Sequence, residues 1–389
     1  MAKVSKNAWR KFAEEQRHKA AQTPVGPQLA QSQKKIELKP VTAVKPGLVQ
    51  TVTVLELRNS DDFPKELHRQ VLDKNYIEAA KLITSAIYSG LPALKEENTL
   101  KDIRTTIAGL TDQNSPNTNE ESVKAAIALI KKCAEQKIIY EQNPKDDFPR
   151  ITETAIGLGQ NYCPADTAYA IIEILNAETL MIRPSTIRVT FDKLQFNNAR
   201  PENTKAARDL IIKALDLSLV PGVEEDTKFV NRALQKFGNP TILPGEENLL
   251  DVANRIVLGC EIAQVSLDKK FSMAAEKTGT RLNCFINDIR KVAVKLRLLG
   301  DAIKSGDLNP KINTKIFLNQ NELNATGIES TPEAGDTFIK LSNKLLLKAV
   351  ELAKQGVIQK QAIYPDRLLS TIREFKLALS PEDTRMLQS

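Results

Sequence analysis

Lys205-Ala-Ala-Arg-Asp-Leu-Ile-Ile-Lys-Ala-Leu-Asp-Leu217 is the stretch from which the fold class follows. Ala206, Ala207, Leu210, Ile211, Ala214 and Leu215 recur three and four residues apart, so a helix gathers them into one apolar stripe. Lys205, Arg208, Asp209 and Lys213 fall on the opposite side, facing water. The same period returns in Phe285, Ile286, Ile289, Val292, Ala293, Leu296 and Leu299, over residues 285–304. From Asp61 onward nearly every segment reads this way. Gly is sparse, 16 in 389 residues, as a helix-rich chain requires, because Gly costs about 1 kcal/mol in a helix interior relative to Ala. The expected fold class is all-α, mainly helical: a two-lobed bundle or an irregular helical-hairpin array.

Helix entries are marked by proline, which is tolerated in the first turn, in Cys163-Pro-Ala-Asp, Thr331-Pro-Glu and Ser380-Pro-Glu-Asp. The strongest break is Gly238-Asn-Pro-Thr-Ile-Leu-Pro-Gly245, which divides the body into an N-terminal lobe at 51–238, a linker at 239–245 and a C-terminal lobe at 246–389. Ala-rich helix starts fall at Ala79, Ala125, Ala168, Ala206 and Ala253, and proline loops such as Leu180-Met-Ile-Arg-Pro and Ile363-Tyr-Pro-Asp-Arg lead into further helices. This spacing resembles helical-hairpin repeats of the tetratricopeptide or pentatricopeptide kind, although the step wanders and no signature residue recurs.

The N-terminus differs in kind. Residues 1–50 hold ten Lys/Arg against three Asp/Glu, which is the whole formal excess of +7 and leaves the body neutral, with 45 of each sign. A short amphipathic helix over Val4–Gln22 would present Trp9, Arg10, Lys11 and Phe12, an aromatic pair on a basic arm suited to a partner groove, to stacking on bases, or to anchoring on the body. Pro24, Pro27, Pro40 and Pro46 then read as a flexible linker. Thr51-Val-Thr-Val-Leu-Glu-Leu57 alternates as a β-strand does, and its open edges call for a hairpin partner or a neighbouring copy.

With 41% hydrophobic and 26% charged residues the body is globular rather than disordered. Cys133, Cys163, Cys260 and Cys284 stand singly, which fits a reducing, cytoplasmic setting and no disulfide framework. The most apolar window, Val252–Leu267, is interrupted by Asn254, Arg255, Glu261 and Gln264 and is too short and polar to span a bilayer. No metal site is expected, with two histidines and no paired cysteines.

Catalytic chemistry finds no candidates either, and no cofactor is implied. Gly157-Leu-Gly159 lacks the strand and third glycine of a dinucleotide fingerprint, and Lys277-Thr-Gly279-Thr-Arg281 lacks Walker spacing; both are expected to end helices. The acid pairs Asp61-Asp62, Asp146-Asp147 and Glu224-Glu225 sit in loops or at helix starts, where they complement the helix dipole.

What is left is positive charge on two stretches, 268–304 and 340–376, each about +5. Arg290, Arg297 and Lys304 are seven apart and line one face, flanked by Lys291 and Lys295 and preceded by Lys269, Lys270, Lys277 and Arg281. Lys340, Lys344 and Lys348 form a second stripe. Such rows suit successive phosphates of single-stranded RNA, or else form a solvated outer face. The parts resemble, in format, nucleoproteins and coat proteins of RNA viruses, with a basic arm that exchanges between copies; the likeness transfers no residues. The expected function is thus non-enzymatic RNA binding with self-association through the arm or the 51–57 strand. The alternative is a helical-repeat adaptor, effector or scaffold that binds another protein.

Overall fold

The computed structural model describes residues 62–388 apart from 117, 139–146, 179, 197–199, 218–222, 242, 244–245, 247–248, 269–274 and 307–331, and without the side chains of 195–196, 223–228 and 275–280. The arm with Trp9, Arg10, Lys11 and Phe12, and the strand expected at 51–57, lie outside these residues. Among the described residues the chain is α-helical, with no strand. None of its helices is long and apolar enough to cross a membrane.

The helices follow in pairs: α1 (Asp62–Leu72) and α2 (Tyr76–Tyr88), α3 (Glu97–Leu110) and α4 (Glu120–Glu135), α5 (Phe148–Tyr162) and α6 (Pro164–Ala177). Then come α7 (Pro184–Phe196) and α8 (Pro201–Asp216), α9 (Val223–Phe237) and α10 (Leu249–Asp268), α11 (Ala275–Ser305) and α12 (Pro332–Ile358). Two short helices, α13 (Asp366–Glu374) and α14 (Pro381–Met386), close the chain. Each even-numbered helix packs on the next, from α2 through α4, α6, α8 and α10 to α12. The odd-numbered helices do the same: α1 meets α3, α3 meets α5, α5 meets α7, and α9 meets α11. Between α7 and α9 the contact is carried by Phe191 and Phe229, edge-to-face at 5.4 Å, and by Arg232 on Asp192 at 3.1 Å. Two helical layers therefore run side by side, each hairpin resting on its predecessor, which is how a quasi-one-dimensional array is built.

The sequence explains this arrangement locally. Ala79, Ala125, Ala168, Ala206 and Ala253 fall on α2, α4, α6, α8 and α10, the helices that succeed one another within one layer. Ala79, Ala168, Ala206 and Ala253 are fully buried there, and Ala125 is half-buried. A polar ladder crosses the same layer. Lys131 of α4 lies 5.7 Å over the ring of Tyr169 on α6, whose hydroxyl donates to Asp209 of α8 at 3.3 Å. Asp209 pairs with Arg208 at 3.0 Å, and Arg208 reaches Glu261 of α10, also at 3.0 Å. Proline opens α6, α8, α12 and α14, and Ser380 caps α14 by accepting from the Asp383 amide at 3.0 Å. Asn119 and Ser122 form a reciprocal capping box on α4.

Two glycine motifs behave differently from the sequence expectation. Gly157 and Gly159 lie inside α5, where a Cβ on Gly159 would stand 2.3 Å from Thr167 Oγ1 and 2.8 Å from Ile127 Cδ1. Gly159 lets α5 come close to α4 and α6, rather than ending a helix. The 277–281 segment is likewise no turn, because α11 runs through it. One Gly costs about 1 kcal/mol in a helix. That is small against the burial along a helix of 31 residues packed on α12.

The break at 238–245 separates α9 from α10 and holds a buried charge. Arg255 and Glu246 have side chains 1% exposed and form an ion pair. The Arg255 guanidinium also donates to the carbonyls of Lys236 and Phe237, both at 2.8 Å, of Asn239 at 2.7 Å and of Thr241 at 3.0 Å. Lys236 and Phe237 belong to the last turn of α9, whose carbonyls have no partner within the helix. One side chain of α10 thus caps α9 and holds the carbonyls of Asn239 and Thr241 that follow it.

Candidate nucleic-acid interface

The last hairpin carries both basic stretches, and its two long helices pack closely along their length. A Cβ on Gly300 would meet the carbonyl oxygen of Gly335 at 2.7 Å, and one on Gly335 would meet the Gly300 carbonyl oxygen at 2.8 Å. Ser342 donates from its hydroxyl to the Ala293 carbonyl at 2.6 Å, a buried bond between the helices. The buried apolar faces, with Phe285, Ile289, Leu296, Phe338 and Leu345 fully enclosed, turn the polar side chains of both helices outward.

Within that frame the cations expected to meet phosphate divide. Lys269 and Lys270, and the side chain of Lys277, lie outside the described residues. On α11 the protein supplies its own counter-charges. Lys291 pairs with Asp288 at 2.9 Å, Arg297 with Asp301 at 3.0 Å, and Lys304 with Asp336 of α12 at 2.7 Å. Arg297 also lies 5.3 Å over the ring of Phe375. The hydrogen bond from Lys304 and the fields of Lys304 and Lys340 hold the Asp336 carboxyl below its ordinary range. Arg281 is half-buried, with an Nε that has no hydrogen-bond partner among the described residues. Lys295, also half-buried, is in no ion pair among the described residues.

The stripe on α12 is different. Lys340 and Lys344 are exposed, Lys348 is half-buried, and none of the three is in an ion pair among the described residues. Glu351 stands one turn beyond Lys348, and together with Lys348 and Glu261 its charge bears on the thiol of Cys260. Burial dominates there and pushes that thiol up to about 12. Cys163 is pushed up to about 11 and Cys133 is raised further, again by burial, so these thiols stay protonated. Cys284 is exposed. No group of three or more His, Cys, Asp or Glu able to hold a metal is found among the described residues.

Beside α11 the chain returns after α12 and leaves a cleft of about 210 Å³. Ile286 and Leu368 form its apolar side, and Arg290, Arg367 and Tyr364 its working groups, with Asp366 at the entry of α13. Asn283 fixes the return, its side-chain amide donating to the Ala362 carbonyl while its oxygen accepts from the Tyr364 amide at 2.8 Å. The backbone at Tyr364 is thereby held in place, and the residue is 76% exposed. Arg290 donates through Nε to Asn287 at 3.1 Å and reaches Thr371 Oγ1 at 3.5 Å. Burial, then the charge of Arg367, lowers its pKa from the ordinary guanidinium value. Tyr364 and Arg367 escaped the sequence reading because only the fold brings 364–368 onto 283–290. The one trace was the proline loop at 363–367.

The class defined by this geometry is an array of α-helical hairpins whose last hairpin bears an arginine-lined cleft and a lysine stripe in no ion pair among the described residues. No protein-family model, curated protein or solved structure matches the chain.

Proposed function

We propose that this protein is a non-enzymatic binder of single-stranded RNA, which it engages through the last hairpin and the basic arm. The observation that carries the reading is the α12 stripe. Lys340, Lys344 and Lys348 sit about 6 Å apart along the helix axis and lack ion-pair partners among the described residues, so their charge is available to phosphates. Neutralising phosphates releases counterions, and binding of this kind weakens steeply with salt. The arm adds the chain's whole net charge of +7 and the aromatic pair Trp9 and Phe12. Self-association through the arm or the 51–57 strand, and a cytoplasmic location, belong to the same proposal. Protonated thiols at Cys163 and Cys260 and ion-paired acids at Asp288, Asp301 and Asp336 support a binding rather than a catalytic role.

A second reading, a protein-binding adaptor, is favoured by the α11 row, where Lys291, Arg297 and Lys304 are already paired within the protein. Stacked hairpins also create the extended surfaces that partners occupy. Light scattering of the full-length protein with and without a short single-stranded RNA separates the two. RNA binding predicts nucleic acid that copurifies with the protein and is stripped by high salt, and a larger particle when RNA is added. A clean monomer that ignores RNA favours the adaptor.

A further inference from the structure

We infer that the cleft between α11 and the 362–368 return anchors one nucleotide of the bound strand, with the phosphate between Arg290 and Arg367 and the base stacked on Tyr364. As part of a strand site this rests on the RNA reading above; as a nucleotide site it stands on the cleft alone.

Arg290 and Arg367 line the same cleft, and two guanidiniums that share one cavity are unfavourable until an anion joins them. A guanidinium has five N–H donors. Arg290 uses two of them, on Asn287 and Thr371, so three have no acceptor among the described residues. Arg367 is exposed and in no ion pair among the described residues. The cleft carries one carboxylate, Asp366, against the two arginines, so its net charge is positive. Asp366 sits in the first turn of α13, where a carboxylate complements the helix dipole.

The aromatic part has its own support. A tyrosine ring left mostly in water contributes little to folding, yet Asn283 uses both its donor and its acceptor to position the backbone that carries Tyr364. A ring carried on a fixed backbone and left uncovered, in the cleft that two guanidiniums and the apolar Ile286 and Leu368 also line, matches the two chemistries of a nucleotide. Stacking on such a ring is tolerant of base identity.

The test uses the full-length protein, a fluorescein-labelled single-stranded RNA read by anisotropy, and titration calorimetry with 5′-AMP and with inorganic phosphate. Tyr364→Ala and Arg367→Ala change exposed side chains, and circular dichroism checks that both variants keep their helices. Tyr364→Ala should weaken strand binding about tenfold, since stacking contributes about 1–3 kcal/mol per base, while Tyr364→Phe stays within about twofold. Arg367→Ala should also weaken it and lower the salt slope by about 0.7, one single-strand phosphate. 5′-AMP should bind more tightly than inorganic phosphate, and Tyr364→Ala should remove that difference. If the strand binds and both variants bind it as well as the parent, the cleft is no anchor, although the RNA reading survives. If the strand is ignored while 5′-AMP binds and is lost in Arg367→Ala, the nucleotide site stands and the RNA reading falls. If neither binds, or an acidic peptide binds the cleft in their place, both are overturned.

Discussion

Replacing Arg255 with Ala removes the centre of the segment between α9 and α10. The guanidinium bridges both oxygens of Glu246 and four backbone carbonyls, and the paired side chains are 1% exposed. After truncation the Glu246 carboxylate keeps one donor among the described residues, the Leu243 amide at 2.9 Å. Breaking one side of a buried pair costs about 3–5 kcal/mol. The four carbonyls fare unequally. Thr241 is exposed and Asn239 half-exposed, so water replaces the lost bonds there, whereas Phe237 is buried and its carbonyl is left without a partner among the described residues. An unsatisfied buried carbonyl costs about 1–3 kcal/mol. These contributions overlap, and the expected loss is about 4 kcal/mol, large beside the roughly 5–15 kcal/mol that separates folded from unfolded domains. Urea unfolding followed by circular dichroism measures it, and limited proteolysis across 239–245 shows whether the segment opens first. Arg255→Met combined with Glu246→Leu leaves no lone charge and should cost less than either single truncation. A loss below about 1 kcal/mol for Arg255→Ala, or a double variant whose cost equals the sum of the singles, would refute the reasoning.

Three further perturbations test other parts of the structure. Gly300→Ala gains up to about 1 kcal/mol of helix propensity but drives a methyl against the Gly335 backbone, and overpacking costs about 1–3 kcal/mol. The net result should be a destabilised protein by urea midpoint; a stabilised one would show that α11 and α12 separate easily. Lys236, half-buried near Phe191, has its pKa lowered by burial to about 8 from 10.5. Between those values the unfolded chain holds a proton that the folded one has released, so stability rises with pH from about 8 to 10.5 and the gain is absent below 8. Lys236→Met should flatten that rise and be more stable than the parent at pH 7; an unaltered profile would contradict the assignment. On the acid side, the hydrogen bonds from Lys304 and Lys354 keep Asp336 and Asp383 below the ordinary carboxyl range, so their contribution is present above about pH 4 and fades as pH falls. Asp336→Asn should reduce the acid dependence of the urea midpoint, and no change would mean the pair is not maintained in solution.

Much of the fold was legible because helices advertise themselves locally. The 206–215 and 285–299 stripes, the proline entries and the break at 238–245 all rest on neighbours within a few residues. Even the wandering step of Ala79, Ala125, Ala168, Ala206 and Ala253 had a physical origin, since those alanines mark consecutive helices of one layer. Charge was harder to read. Arg290, Arg297 and Lys304 do share a face, but the aspartate that neutralises Lys304 is on another helix, 32 residues away. Arg255 showed only as an interruption of an apolar window; its partner carbonyls come from the end of α9, nearly twenty residues earlier. The glycines misled for the same reason. Gly159 is needed for the approach of α5 to α4 and α6, and a close contact with Ile127 leaves no mark in the sequence around it.

The central claim is that the α12 lysines keep positive charge free for a phosphate chain. The most direct measurement is the salt dependence of single-stranded RNA affinity for the parent protein and for Lys340→Gln/Lys344→Gln/Lys348→Gln. Each single-strand phosphate neutralised contributes about 0.7 to the slope of log affinity against log salt, so losing three contacts should lower its magnitude by about 2. An identical slope in the variant, or no RNA binding by the parent, would contradict the claim.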